Sequence, residues 1–370
     1  MLRFLVLLEL VLGSWDIDAP KFDSIVVIPD LHGDLPNAVR SLFLAFKKVN
    51  PRHPFGLDEF IEFVADGMEK LPVDPLDSVS RTLLVQLGDL ADRGPHSKKL
   101  YLLFNHIEDI IGWKCAKVLG NHDLAPHLRI KSYKQLVHEE DLESFGGVDG
   151  RNMAFSGLQN SIWTRYIQDK FGFFVRVASL SNDSASVNTL FVHGGVSLSW
   201  LAGIELRGFS HRFGTVVSVD MLNNFLWTFI KYESRKSSAA LLFSPGSPLV
   251  NRDFNSPEED DIKEKKWCDT VVKELLQLFS VSRIIVGHSA QRRPQIRSRC
   301  GGRILLVDVR ISLFAGGGGN PFALMMKLDG DNLSEMTSVF EGREEAHDCR
   351  EQQDDDTYDA GYNIPVCSVS

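Results

Sequence analysis

The chain is poor in cysteine: it has five in 370 residues, and no two of them form a CxxC pair. This argues against a dense disulfide framework and against a structural zinc site built from thiolates. An odd number of cysteines also leaves at least one thiol free or available to another chain. Hydrophobic residues are 44% of the chain and charged residues 24%, as in an ordinary globular protein.

The chain also lacks an excess of positive charge. Forty basic residues against 49 acidic ones give a formal net charge of −9. Nucleic-acid binders usually carry basic stripes, so nucleic acid is not an expected partner. Much of the negative charge lies in residues 258–261 and 341–359. We interpret both runs as solvated, and residues 341–370 as an acidic disordered tail.

Long apolar runs are missing too, except near the N-terminus. Residues 4–12 are apolar apart from Glu9, follow a basic residue at Arg3 and precede Gly13-Ser14. The pattern is typical of a secretory signal peptide and is too short for a stable membrane span. We therefore expect residues 1–19 to be a leader and the protein to enter the secretory pathway. The alternative is an N-terminal strand or helix packed on the domain of a cytoplasmic or organellar protein.

The chain does contain five short strings rich in Asp, His and Asn, each directly after an apolar run. Such runs predict buried strands, whose carboxyl ends gather loops along one edge of a sheet. The strings are Asp30-Leu31-His32-Gly33-Asp34, Gly88-Asp89-Leu90-Ala91-Asp92-Arg93-Gly94, Gly120-Asn121-His122-Asp123, His193-Gly194-Gly195 and Gly287-His288. Their carboxylate, amide and imidazole groups suit a pair of divalent metal ions.

Helical patterns alternate with these strands. The strongest helical periodicity covers residues 262–281, and Asp34 is placed to cap a helix that begins at Leu35. Further predictions are helices over 98–112 and 219–232, an insertion or lid over 50–79 with a short amphipathic piece at 57–68, and a loop rich in Ser and Pro over 237–257. Together they predict a layered α/β sandwich in a single catalytic domain of residues 20–340.

The five strings, in this order, resemble those of the phosphoprotein phosphatase family within the calcineurin-like metallophosphoesterase superfamily. That family reads GDxHG, GDxxDRG, GNHE, HGG and GH, and this chain reads PDLHGD, GDLADRG, GNHD, HGG and GH. The GNHD string and the segment over 246–254 are similar to the bacterial-type, Shewanella-like branch. The resemblance covers about residues 24–330 and implies a sandwich of two mixed β-sheets flanked by helices. The family's C-terminal SAPNYC-type segment is absent, which counts against eukaryotic-type regulatory subunits.

The resemblance also implies a role for each polar residue of the strings. His122, oriented by Asp92, would be the general acid, and Arg93 would bind the phosphate. Arg252 would be a second phosphate clamp, with a solvent-exposed loop arginine as the alternative. The ions would be Mn²⁺, with Fe or Zn possible on the same ligands. The implied metal ligands, with Asp89 shared between two ions, are Asp30, His32, Asp89, Asn121, His193 and His288.

These residues predict a metal-dependent phosphoprotein phosphatase. It would hydrolyse phosphate monoesters of Ser, Thr or Tyr side chains by direct attack of a metal-activated water. A second hypothesis keeps the metals and changes the substrate to a dinucleoside polyphosphate or another small phosphoester. A third, from another class, is an inactive phosphatase-fold binding module. That module would be expected to lack one or more ligands, and none is missing from this sequence.

Overall fold

The computed structural model describes residues 14–69, 81–179, 187–207, 216–256, 261–316, 318–330, 332–348 and 368–369. Two mixed β-sheets flanked by helices form the domain, as the resemblance implies. The strands are β1 (Asp16–Asp18), β2 (Ser24–Ile28), β3 (Thr82–Gln86), β4 (Lys114–Val118), β5 (Phe171–Gly172), β6 (Phe174–Ala178), β7 (Thr189–Val192), β8 (Arg283–Val286), β9 (Arg297–Arg299), β10 (Ile304–Leu306), β11 (Phe322–Asp329), β12 (Asn332–Phe340), β13 (Arg343–Asp348) and β14 (Ser368–Val369). The α-helices are α1 (Leu35–Val49), α2 (Leu57–Glu69), α3 (Ser97–Ile111), α4 (Asn121–Leu128), α5 (Glu139–Ser144), α6 (Gly147–Ala154), α7 (Leu198–Glu205), α8 (Val219–Tyr232), α9 (Arg235–Leu242), α10 (Asp261–Trp267) and α11 (Lys273–Phe279).

The topology of the two sheets explains where the polar strings meet. One sheet has the order β14-β13-β12-β11-β2-β3-β4-β5, in which β2 to β5 run parallel. The other has the order β1-β6-β7-β8-β10-β9, in which β7, β8 and β10 run parallel. Strands buried on both faces of a sheet are mostly apolar. Both β3 and β8 are buried along their whole length and have apolar residues at their centres. The first three strings therefore follow strands of one sheet and the last two follow strands of the other.

The helices largely follow the predicted pattern. The Asp34 carboxylate accepts the backbone N–H of Asn37 at 3.2 Å and caps α1 as expected. The helix over 262–281 is interrupted by a π-helical turn at Cys268–Val272, between α10 and α11. In the insertion, α2 packs through Phe60 on α1, and residues 70–80 lie outside the described ranges. None of the described helices is long and apolar enough to cross a membrane.

The predicted loop over 237–257 is wrong in its first part, because α9 covers Arg235–Leu242. A serine-rich composition is typical of loops, but here Ser234 caps the helix by accepting the Ser237 backbone N–H at 3.1 Å. Serine is favoured at this position because its hydroxyl satisfies an N–H that the helix leaves unpaired. Leu241 and Leu242 then bury one face of the helix.

The prediction of a disordered tail over 341–370 is wrong in two places, because β13 lies within that range and Ser368–Val369 pairs with it. Arg343–Asp348 forms β13, antiparallel to β12, with Phe340 paired to Arg343. The Arg343 guanidinium lies 4.3 Å from the centre of the Phe340 ring, and Lys48 forms a 2.6 Å ion pair with Glu344. These contacts give the acidic strand partners that the composition alone did not indicate. Residues 349–367 lie outside the described part.

The N-terminal edge strand occupies part of the predicted leader. Asp16 pairs with Arg176 of β6, both in sheet register and through a guanidinium–carboxylate pair at 2.5 and 2.7 Å. Trp15 is 5% exposed, and its backbone N–H donates to Asp220 at 2.6 Å. Residues 14–19 therefore belong to the folded domain, and a leader compatible with this strand ends before Ser14. Residues 1–13 lie outside the described ranges, so the leader itself stays a prediction.

We expect a chain that starts at Pro20 to be less stable than one that starts at Ser14. Removing a buried tryptophan costs about 3–5 kcal/mol of unfolding free energy, and the shorter chain also leaves Arg176 without its carboxylate. Urea unfolding of both chains measures the difference, and Trp15→Ala in the longer chain isolates the packing contribution. Equal unfolding free energies would show that β1 contributes nothing to the domain.

One disulfide is present among the described cysteines. It joins Cys268, in the π-helical turn, to Cys300, directly after β9, with a Cα–Cα distance of 5.3 Å. The sequence contained no spacing that predicted this pair. Cys115 is a half-buried free thiol in β4. The sequence predicted it in a buried strand, so the strand is confirmed and the burial is partial.

Candidate metal centre

Asp89 lies at the centre of the site, in the loop after β3. Its Oδ2 is 3.3 Å from His193 Nε2 and 3.7 Å from His32 Nε2. Its Oδ1 accepts the backbone N–H of His122 at 2.9 Å. The backbone of Asp89 adopts a φ of +53°, a conformation that costs energy for a non-glycine residue and is concentrated at functional sites.

Two groups of possible metal ligands share Asp89. In each, one ligand atom per residue lies within 4.8 Å of the others. The groups are His32, Asp89 and His122, and Asp89, His193 and His288. An ionised carboxylate has enough lone pairs to contact two cations at once, so the geometry provides for a shared ligand.

The charges of Asp89 and His193 depend on each other. Burial would raise the pKa of the Asp89 carboxyl, but the charges of His193 and His122 outweigh burial and hold this pKa well below its usual value. Burial would lower the pKa of His193, but Asp89 and Asp30 outweigh it and raise that pKa to about 10. The carboxylates thus favour a positive charge beside Asp89. A divalent cation held by these residues would supply that charge, and His193 would bind it in the neutral form.

His32 and His288 are held in the neutral form, which binds metals. Burial, followed by the charge of His122, lowers the pKa of His32 to about 3. Burial, followed by the charges of His193 and Arg252, holds the pKa of His288 well below its usual value. The Nε2 atom of His288 is buried and has no hydrogen-bond partner among the described residues. An unpartnered imidazole nitrogen beside Asp89 fits a metal ligand.

Asp30 contacts the backbone of His288, and Asn121 contacts the ring of His193. Both carboxylate oxygens of Asp30 accept the backbone N–H of His288 at 3.1 Å. Burial and then the charge of Asp308 raise the pKa of Asp30 well above its usual value. The amide oxygen of Asn121 is 2.8 Å from His193 Nε2. All six residues predicted as ligands therefore lie together, and all of them are buried except His288, which is half-buried.

His122 and Asp92 form the predicted pair. Nδ1 of His122 is 2.9 Å from Oδ2 of Asp92, and both side chains are buried. Because Asp92 occupies Nδ1, the other nitrogen of the ring is the one free to exchange a proton with a ligand. The centres of the His122 and His32 rings are 4.7 Å apart, so the pair lies directly beside a predicted metal ligand.

Two arginines flank this cluster. Arg93 is half-buried, its Nε has no hydrogen-bond partner among the described residues, and its charge contributes to the low pKa of His32. Arg252 is exposed, and its charge acts on both His288 and Tyr133. The alternative interpretation expects this exposure, but the charge of Arg252 reaches the predicted ligand His288, so its role as a phosphate clamp stays a prediction.

Asp123 holds the Asp89 loop in place. Its carboxylate accepts the backbone N–H groups of Asp89 (2.8 Å), Leu90 (3.0 Å), Ala91 (3.3 Å) and Gly120 (2.9 Å), and the Tyr101 hydroxyl at 2.6 Å. Five donors thus converge on one fully buried side chain. Asp123 replaces the glutamate of the family's GNHE string and here fastens two of the ligand-bearing loops to each other.

Two glycines let the loops approach each other. A Cβ on Gly120 would meet the backbone nitrogen and Oδ1 of Asp89, and a Cβ on Gly287 would meet Oδ1 of Asp30. Any larger residue at these two positions would displace a predicted ligand. Glycine is therefore needed directly before Asn121 and His288 for steric reasons.

Sequence reasoning missed Tyr133 and Arg151. The Tyr133 hydroxyl accepts a hydrogen bond from the Asn121 amide at 2.8 Å, and its ring lies 4.8 Å from the His122 ring. Arg151, on α6, contacts Oδ1 of Asp92. Neither residue lies in one of the five polar strings. The sequence offers only one hint of their role, which is that both follow the GNHD string in the chain.

Comparison with known proteins decides the family. The profile of the calcineurin-like phosphoesterase family matches residues 24–292. The chain belongs to this family. Membership of this family implies that the protein binds divalent metal ions. The two groups of possible ligands around Asp89 agree with this. The family resemblance and the fold predicted from the sequence are both confirmed.

The alignments with related proteins cover most of this chain. An uncharacterized protein of Schizosaccharomyces pombe is 26% identical over 334 residues, which cover 87% of this chain and 83% of that protein. Shewanella-like protein phosphatase 1 of Plasmodium berghei is 23% identical over 320 residues, 86% of this chain and 75% of that protein. The crystal structure of a cold-active protein-tyrosine phosphatase from a psychrophilic Shewanella species shares the fold, with a TM-score of 0.59, 16% identity, and coverage of 90% of this chain and 85% of that one.

Proposed function

We propose that this protein is a metal-dependent phosphoprotein phosphatase that hydrolyses phosphate monoesters of Ser, Thr or Tyr side chains. The observation that carries the proposal is the buried His122–Asp92 pair directly beside ligands that share Asp89. A metal site alone would serve structure or binding. A His–carboxylate pair at its border is what protonation of a leaving oxygen needs. The similarity to a Shewanella-like protein phosphatase supports a protein substrate.

The proposed ligand assignment uses two divalent ions. When bound, the ions would polarise the phosphoryl group and lower the pKa of the attacking water. Mn²⁺ is our first choice, and Fe or Zn suits the same oxygen and imidazole donors. Asp30, His32 and Asp89 would hold the first ion, and Asp89, Asn121, His193 and His288 the second.

The other side chains act on the substrate. His122 would donate a proton to the leaving oxygen while Asp92 stabilises the charged imidazole. Arg93 would neutralise phosphate oxygens, since its Nε has no partner among the described residues. Arg252 would serve as a second clamp from the exposed side. Tyr133, packed on the His122 ring, would form one wall of the phosphate site.

We propose phosphoproteins of the secretory pathway as the substrates. The Cys268–Cys300 disulfide supports this location, because disulfides form and persist in oxidising compartments. The apolar leader pattern of the first residues points the same way.

Hydrolysis of a substrate panel tests the proposed function. Phosphoserine, phosphothreonine and phosphotyrosine peptides are compared with diadenosine tetraphosphate, using the full chain with added Mn²⁺. We expect turnover of at least one peptide class and loss of that activity in Asp89→Asn, whose shared ligand loses a charge. Turnover of the dinucleotide alone would indicate a small-molecule hydrolase. No turnover with metals bound would favour the inactive binding module.

A further inference from the structure

Arg151 is a buried charge to which the proposed reaction assigns no role. It lies on α6, it is 9% exposed, and its guanidinium contacts Oδ1 of Asp92. The other oxygen of Asp92 is the one that faces His122 Nδ1, at 2.9 Å. Asp92 is therefore held between two partners, one on each oxygen.

The surroundings of Arg151 hold its guanidinium in one place. Its central carbon lies 5.2 Å from the centre of the Phe155 ring and 6.0 Å from that of Phe145. Its Nε is 3.8 Å from Oδ2 of Asp141, which is also buried. Aromatic faces on one side and a carboxylate on the other favour a fixed cation.

A chain of contacts returns from Arg151 to the backbone of Asp92. Asp141 Oδ1 accepts the Ser97 N–H at 3.0 Å, and Ser97 Oγ accepts the Asp92 N–H at 3.1 Å. The segment from α5 to α6 thus holds both the carboxylate and the backbone N–H of Asp92. The backbone there has a φ of +67°, which such external contacts help to maintain.

We propose that Arg151 is a positioning residue for the ester hydrolysis proposed above. It keeps the Asp92 carboxylate directed at His122 Nδ1, and thereby keeps His122 in position to protonate the leaving oxygen. Without the guanidinium, a fully buried carboxylate would have one polar partner fewer and could rotate away from the imidazole. The inference rests on the proposed function, and the experiment separates the two.

The dependence on the leaving group distinguishes positioning from a structural ion pair. Phenyl phosphate has a more basic leaving oxygen than p-nitrophenyl phosphate, so its hydrolysis depends more on a general acid. We expect Arg151→Gln in the Mn²⁺-loaded full chain to lower kcat on phenyl phosphate about tenfold, within the roughly 10²–10⁴-fold that a general acid contributes. The loss on p-nitrophenyl phosphate should be clearly smaller. Arg151→Lys, which keeps the charge, should recover part of the loss.

A double-mutant cycle gives a second readout. In an Asp92→Asn background, Arg151→Gln should have almost no further effect on kcat, because its target is already lost. Arg165→Gln, an exposed arginine beyond α6, is the matched control and should resemble the wild type. If Arg151→Gln does not fold, Asp141→Asn tests the same leaving-group dependence through Arg151's other carboxylate.

Equal losses on both esters, or additive effects in the cycle, would overturn the positioning role. If the wild type is active and Asp92→Asn loses activity while Arg151→Gln does not, only the Arg151 proposal fails. If the metal-loaded wild type hydrolyses neither ester nor any phosphopeptide, the proposed function fails and this inference fails with it.

Discussion

The His122→Asn variant is expected to lose about 10²–10⁴-fold in kcat on phosphopeptides, the usual contribution of a general acid. Asn keeps a polar amide close to the position of Nδ1, although it is smaller than His, and it cannot donate a proton in the way an imidazolium does. The loss should appear in kcat rather than in KM, because the proposed role of His122 is to protonate the leaving oxygen. Steady-state kinetics with Mn²⁺ on a phosphopeptide that the wild type hydrolyses measure the effect.

Metal content must be measured on the same His122→Asn preparation. His122 lies in the ligand group with His32 and Asp89, so a ligand role would reduce bound metal together with activity. A general acid would leave bound metal unchanged. His106→Asn, a histidine of α3 that contacts Asp109, is the matched control and should retain wild-type kinetics. Unchanged kcat in His122→Asn would contradict the assigned role.

The Asp123→Ala variant is expected to be strongly destabilised. Each buried donor left without an acceptor costs about 1–3 kcal/mol, and Asp123 accepts from five groups. We expect a loss of at least about 3 kcal/mol of unfolding free energy, because some donors will find water. Metal affinity should also fall about 10–100-fold, since the loop that carries Asp89 loses its support.

Urea unfolding, with EDTA and with Mn²⁺, measures both consequences of Asp123→Ala. Asp123→Asn is the matched variant, because it keeps the volume and one acceptor oxygen. It should lose less stability than Asp123→Ala. A wild-type unfolding midpoint for Asp123→Ala in EDTA would mean that the five hydrogen bonds have no net value. A Mn²⁺-induced shift of the same size in both proteins would show that the loop is not needed for metal binding.

Elements set by local chemistry could be predicted well from the sequence. Helix α8 has the predicted bounds, and Asp34 caps α1 as expected. The apolar runs before the polar strings became β2, β3, β4, β7 and β8, because buried strands need apolar residues on both faces. Predictions failed where composition was a poor guide: α9 begins at a serine cap, and β13 is a strand despite its acidic residues.

The N-terminal segment shows why a leader pattern does not predict the residue at which the folded domain begins. The pattern concerns the apolar run, and it does not specify where folding contacts begin. Trp15 and Asp16 are fixed by Asp220 and Arg176, which follow them by 205 and 160 residues. No local pattern in the first twenty residues reveals partners so distant in the chain.

By itself, the sequence identified the candidate ligands and the His122–Asp92 pair, because metal ligation and proton transfer need particular residue types and the strings place them directly after strands. Only the tertiary structure decided what supports that chemistry. Arg151 contacts Asp92 from 59 residues later in the chain, and Tyr133 packs on His122 from a short 3-10 helix over Lys131–Leu136 that carries no motif. These contacts depend on how α6 and this 3-10 helix pack, and side-chain packing is a property of the folded chain as a whole.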